Sequence, residues 1–115
     1  MATMGFHDLR PGQTWRSTGR TLTETDLTLF AMLSGDRHPI HVDAEFAQAT
    51  RYGQRLFHGT FGLTLTVAMA TELPHLHEAV IAATGYTQWK FCQPLFIGDT
   101  VHVEAEIVRP EQFGS

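Results

Sequence analysis

The sequence has a single cysteine, Cys92, among 115 residues. One thiol closes no internal disulfide, so the fold stands without staples and a reducing cytoplasm is its expected setting. Long apolar runs are missing too. The longest fall far short of the ~20 residues that a membrane helix needs, so no membrane span is expected. Met1 to Arg10 contains Gly5, His7 and Asp8 and no apolar run, so it does not read as a signal peptide. Positive charge is scarce: eight Lys and Arg stand against twelve Asp and Glu, giving a net charge of −4. The cations are scattered, whereas a nucleic-acid binder needs them clustered, so no nucleic-acid partner is expected. There is no glycine-rich phosphate loop, no Gly-x-Ser-x-Gly elbow and no dinucleotide fingerprint. Ser34 and Cys92 lack a local base partner in sequence, which makes them weak nucleophiles.

What remains is ordinary globular material. Apolar residues are 43% and charged residues 17%, which argues against disorder. The length suits one domain spanning residues 1–115. Thr14 to Leu22 has strand composition, weakened by Gly19. Thr23 reads as an N-cap with Glu24 and Asp26 in the first turn, and Gly35 as a left-handed stop, so residues 24–34 form a helix. Asp36 to Val42 cannot continue it because of Pro39. Asp43 then caps a short helix through about Thr50, with Phe46 and Ala47 on its buried side, and residues 51–57 read as a loop.

His58-Gly59 opens the most apolar segment, Thr60 to Leu73, ended by Pro74. Its alternating threonines permit a strand, but its length and the Ala68-Met69-Ala70 run favour a helix, apolar nearly all round and therefore buried. The remainder reads as strands: residues 79–83, the alternating residues 86–91, a turn at Pro94 and Gly98-Asp99, and Val101, Val103, Ala105 and Ile107 alternating with polar neighbours. This order makes an α+β domain in which an antiparallel sheet wraps a central apolar helix.

The chemistry-bearing cluster is Ser34 to Asp43. Asp36 and His41 sit five apart across a proline turn. A carboxylate and an imidazole converging there could hold one water and move its protons. The plainer alternative is an Asx turn at Asp36 and a satisfied polar residue at His41. The start of the apolar helix offers unpaired N–H groups, and Gly59, lacking a side chain, lets a ligand oxygen approach closely enough for its N–H to stabilise an oxyanion. Tight packing alone would also account for that glycine. A metal set of His38, His41 and Asp43 is disfavoured because Pro39 breaks the register and no third histidine lies nearby. No metal is expected. His7, His75, His77 and His102 are given no role.

The string Phe30-Ala31-Met32-Leu33-Ser34-Gly35-Asp36-Arg37-His38-Pro39-Ile40-His41 resembles the signature of the MaoC-like dehydratases, a group that includes the (R)-specific enoyl-CoA hydratases. Phe57-His58-Gly59, Phe91-Cys92-Gln93-Pro94 and Gly98-Asp99-Thr100 follow in the order that family uses. His38 stands where the family usually has asparagine. The resemblance implies a hot-dog fold round the helix at residues 60–73, here lacking its last two strands because Pro110 to Ser115 cannot supply them. It implies a homodimer acting on acyl-CoA thioesters as a hydro-lyase, without a cofactor. Asp36, His41 and Gly59 match the catalytic positions, and His38, Phe57, His58, Thr60 and Phe61 are expected to face the substrate. The alternatives are a hot-dog thioesterase, or a non-catalytic acyl-CoA-binding or assembly subunit.

Overall fold

Strong local signals govern the first helix. In the computed structural model, which describes residues 8–73 and 86–108, α1 spans Glu24–Ser34. Its N-terminus is closed by a capping box: the Asp26 N–H donates to Thr23 Oγ1 at 3.2 Å, and the Thr23 N–H to Asp26 Oδ2 at 2.9 Å. Its C-terminus is closed by Gly35 in the left-handed conformation, φ 77°, where a side chain would be strained. Leu27 and Ala31, one turn apart, form the buried face.

The chain groups into two compact units, residues 20–65 with 88–101 and residues 1–19 with 66–87 and 102–115. In the first unit, β2 (Arg20–Thr21) pairs antiparallel with β3 (Thr100–Val101). The adjacent Leu22, 1% exposed, donates its N–H to the Asp99 carbonyl, and its own carbonyl accepts the Gly98 N–H. The Pro94 to Asp99 region turns as the sequence predicts: Gly98 has φ 96° and the Asp99 carboxylate accepts the Phe96 N–H. A bridge joins Leu56 to Phe96. In the second unit, β1 (Thr14–Arg16) pairs antiparallel with β4 (Glu104–Glu106).

The expected strand at residues 14–22 is thus two short pieces. Ser17 interrupts it: the Ser17 Oγ accepts the Val103 N–H at 2.7 Å, so a side chain takes the place of a ladder carbonyl. The same contact breaks the expected strand at residues 101–107 at His102–Val103, although the burial alternation survives, with Val103 and Ala105 inward and Glu104 and Glu106 outward. Pro39 does not leave a mere turn. It occupies the first position of a one-turn helix, α2 (Pro39–Val42), where its missing N–H costs nothing.

Helix α3 (Ala44–Gln48) is capped by Asp43 as expected. Its five residues bury one position fully, Ala47, and Phe46, expected on that side, is 45% exposed. Helix α4 spans Gly59–Ala70. Its burial is a stripe, Phe61, Leu65 and Met69, four residues apart, not the whole circumference. Residues 86–91 form no strand: among the described residues none pairs with them, and Gln88 leaves the extended region at φ 55°. The expected strand at residues 79–83 lies outside the described residues, as does Pro74. No described helix is long and apolar enough to cross a membrane.

The capping box gives a test. Thr23→Ala removes the acceptor for Asp26 and is expected to cost about 1 kcal/mol in urea unfolding. Burial raises the Asp26 pKa, but hydrogen bonds from Thr23 and the Arg20 guanidinium at 2.8 Å outweigh it and hold the carboxyl below its ordinary value. Asp26 therefore stabilises the fold above the unfolded carboxyl range, and this contribution is lost as pH falls through its folded value. Asp26→Asn should be less stable than wild type at neutral pH, with the gap closing in acid.

Candidate active site

The segment between α1 and α4 is built from successive side-chain-to-backbone bonds within the first unit. Ser34 Oγ accepts the Asp36 N–H at 3.1 Å, and Asp36 Oδ1 accepts the His38 N–H at 3.2 Å, an Asx-type turn. His38 Nδ1 then accepts the Ile40 N–H at 3.1 Å and caps α2. An asparagine oxygen at this position could accept the same N–H. The sequence places His38 against the substrate; the structure gives its Nδ1 to the backbone.

The tight turn brings the donor atoms of His41 and Asp36 within 4.8 Å of each other. His41 is 8% exposed, and its Nδ1–H donates to the Leu56 carbonyl at 2.7 Å. That bond fixes the tautomer and leaves Nε2 with a free lone pair. Burial chiefly lowers the His41 pKa, with the Leu56 carbonyl opposing it, His58 lowering it further, Asp36 raising it and His38 lowering it. The net result is a ring held neutral at pH 7.

His58, 3% exposed, stacks on His41 with ring centroids 3.7 Å apart and planes 21° from parallel. Its Nε2–H donates to the main-chain carbonyl of Asp36 at 2.8 Å. Its Nδ1 is buried without a hydrogen-bond partner, which costs on the order of 1–3 kcal/mol. Unlike His38, it does not cap the helix that follows it. The His58 carbonyl accepts the N–H groups of Phe61 and Gly62, and those of Gly59 and Thr60 find no acceptor among the described residues. The start of α4 therefore keeps two free donors on exposed residues. The Phe91 ring lies over Gly59, where an added Cβ would meet Cε1 at 2.7 Å.

The donor atoms of Asp36, His41 and His58 all lie within 4.8 Å of one another. Such a set invites a metal reading, but His41 Nδ1–H and His58 Nε2–H are committed to main-chain carbonyls, Asp36 Oδ1 to the His38 N–H, and the remaining nitrogen of His58 is buried. The candidate set of His38, His41 and Asp43 fares no better, since His38 Nδ1 and Asp43 Oδ1 are each committed to backbone N–H groups. The arrangement suits proton transfer: a carboxylate with one oxygen committed to a turn, and a neutral imidazole with a free nitrogen.

Phe57 and Phe61, expected to face the substrate, are 2% and 8% exposed and stack at 4.6 Å. With Phe30, whose ring meets Phe61 at 5.3 Å and His58 at 5.0 Å, they form an aromatic group packed on the site. A cavity of about 190 Å³ flanks His41, lined among others by Leu27, Ala31, Met32 and Val42 and by Arg37 and Arg55. Sequence reasoning quoted Phe30 and Phe91 only as motif residues, without a place at the site, and missed the Leu56 carbonyl. The Leu56 contact is main chain and leaves no side-chain signal.

Residues 8–114 match the sequence profile of the MaoC like domain family. The chain belongs to that family. It is 36% identical over 106 residues to the 3-hydroxybutyryl-CoA dehydratase of Methylorubrum extorquens, covering 90% of this chain and 64% of that enzyme. Among solved structures it is similar to the monoamine oxidase regulatory protein of Archaeoglobus, with TM-score 0.85, 32% identity, and 97% and 75% of the two chains covered. It is also similar to the R-hydratase PhaJ1 of Pseudomonas aeruginosa, with TM-score 0.75, 32% identity, and 93% and 66% covered. The chain spans 30–64% of the length of the first curated relatives that it matches. These neighbours have the hot-dog fold, and this MaoC-like chain shares it.

The cap on α2 makes a prediction. His38→Ala should lower stability by about 1 kcal/mol, and His38→Asn should restore most of it by offering Oδ1 to the Ile40 N–H. Equal losses in both variants, measured by urea unfolding, would show that the ring and not the cap matters.

Proposed function

We propose that this chain is a hydro-lyase that adds water to, or removes it from, the α,β double bond of an acyl-CoA thioester. One observation carries the reading: a carboxylate and a neutral imidazole with a free Nε2 lie within 4.8 Å of each other, on a loop held by the residue that opens an uncapped helix. The family membership and the dehydratase and R-hydratase names of its relatives support it.

In the hydration direction, His41 Nε2 takes a proton from a water that the Asp36 carboxylate orients. The hydroxyl bonds to Cβ, and the double-bond electrons shift toward the thioester, whose oxygen gains negative charge. The Gly59 N–H donates to that oxygen. The Asp36/His41 pair returns a proton to Cα, so one water is added and the enzyme ends as it began. Every group belongs to the chain or the substrate, and no cofactor is called for. The apolar wall of the cavity beside His41 offers room for part of a short acyl group.

The working unit on this reading is a homodimer. Leu29 and Leu33, one turn apart on α1, are exposed apolar residues, the kind of surface that a second chain covers. The exposed, unpaired Cys92 thiol supports a reducing cytoplasm as its place of work.

Crotonyl-CoA, followed by loss of enoyl absorbance, tests the assignment. Asp36→Asn and His41→Ala are each expected to reduce kcat by about 100-fold or more. The acid limb of kcat/KM should fall below the ordinary imidazole value, because the buried base stays neutral to lower pH. Undiminished turnover in both variants would overturn the assignment, and release of free CoA thiol would favour a thioesterase.

A further inference from the structure

We propose that His58 is the positioning residue of this site, a single buried imidazole that fixes the Asp36 turn through its Nε2–H and backs the His41 ring with its face. Its catalytic consequence rests on the hydration reading above, whereas its effect on His41 does not.

The Nε2–H bond goes to the main-chain carbonyl of Asp36, at 2.8 Å, so it anchors the turn without consuming the carboxylate. The ring face lies 3.7 Å from the His41 ring. The Phe30 ring packs against it at 5.0 Å and 60°, a second ring contact on the imidazole. At 3% exposure it has little freedom to reorient. Its main chain leads straight into Gly59 and the start of α4. The acid, the base and the helix N-terminus are therefore all tied to one side chain, and a shift of that side chain displaces each relative to the others. Hydration chemistry is sensitive to such displacements, because proton transfer and oxyanion stabilisation require hydrogen-bond reach at the same time.

Among the described residues, five charged or titratable groups surround His41. Asp36 and Arg37 come from the turn, His38 from the cap of α2, Arg55 from the loop before Leu56, and His58 from the start of α4. Of the histidines, His58 lies against the ring itself. It covers His41, and its charge interaction with that ring lowers the His41 pKa. Removing it lifts both restraints on His41 protonation.

The test separates the two contacts. In His58→Gln the amide nitrogen can occupy the place of Nε2, keeping the donor to Asp36 but losing the stacked ring. His58→Phe keeps a ring and its burial but loses the donor. His41 titration is read by NMR from its ring resonances in wild type and both variants, with a dispersed amide spectrum as the check on folding. The expected result is a higher His41 midpoint in both, more so in His58→Gln, where cover is lost as well. In turnover, His58→Phe should lower kcat about tenfold with little change in KM, whereas His58→Gln should recover kcat above its new midpoint. The acid limb of its pH profile should move up with the NMR midpoint. An unchanged His41 midpoint in the folded variants would overturn the positioning role, and so would equal kcat losses with an unmoved acid limb. If His58→Phe does not fold, His58→Gln carries the test alone. A moved midpoint in a protein that does not hydrate crotonyl-CoA would uphold the positioning role and reject the hydration reading.

Discussion

The site depends on one hydrogen bond, from His41 Nδ1–H to the carbonyl of Leu56. It decides which nitrogen of a buried ring carries the proton, and so which is free to accept one. Which ring nitrogen carries the proton is set by the hydrogen bond that the ring makes. The loop that supplies the carbonyl is itself pinned. The Leu56 N–H donates to the Ile40 carbonyl, and the Phe57 N–H to the Leu95 carbonyl. The base is thus oriented by backbone, and backbone is held by the strand-like pairing of Leu56 with Phe96. Changes at residues 94–96, remote in sequence from the motif, would reach His41 by this route.

Much of this was legible in the sequence where the signals are local. Thr23, Asp26 and Gly35 encode both ends of α1, because capping acts within four residues and asks nothing of the rest of the fold. Asp43 does the same for α3. The alternation at residues 101–107 correctly assigns inward and outward residues, yet Ser17 breaks the ladder through a hydroxyl that no pattern of hydrophobicity reveals. Residues 86–91 alternate just as well and form no strand, since alternation describes a surface and pairing requires a partner. Helix α4 is apolar in composition but buries one stripe, because composition does not say how much of the circumference neighbours will cover.

At the site, the motif put Asp36 and His41 in one turn, and the structure brings their donor atoms within 4.8 Å of each other. The plainer feature, an Asx turn at Asp36, is present, since one carboxylate oxygen makes that turn. The two readings do not compete: the oxygen that shapes the loop leaves the other available. His38 shows the converse, a residue in the middle of a chemical motif whose nitrogen serves the backbone. The stacking of His58 on His41 was not readable, because the two lie seventeen positions apart and only the fold brings the rings to 3.7 Å.

The central claim is spatial: Asp36, His41 and the Gly59 N–H act on one thioester. A crystal structure of the Asp36→Asn variant with crotonyl-CoA bound tests it most directly. The account predicts the thioester oxygen within hydrogen-bond reach of the Gly59 N–H, and a water between residue 36 and His41 Nε2 facing Cβ. A thioester bound away from Gly59, or a Cβ turned away from His41, would contradict it.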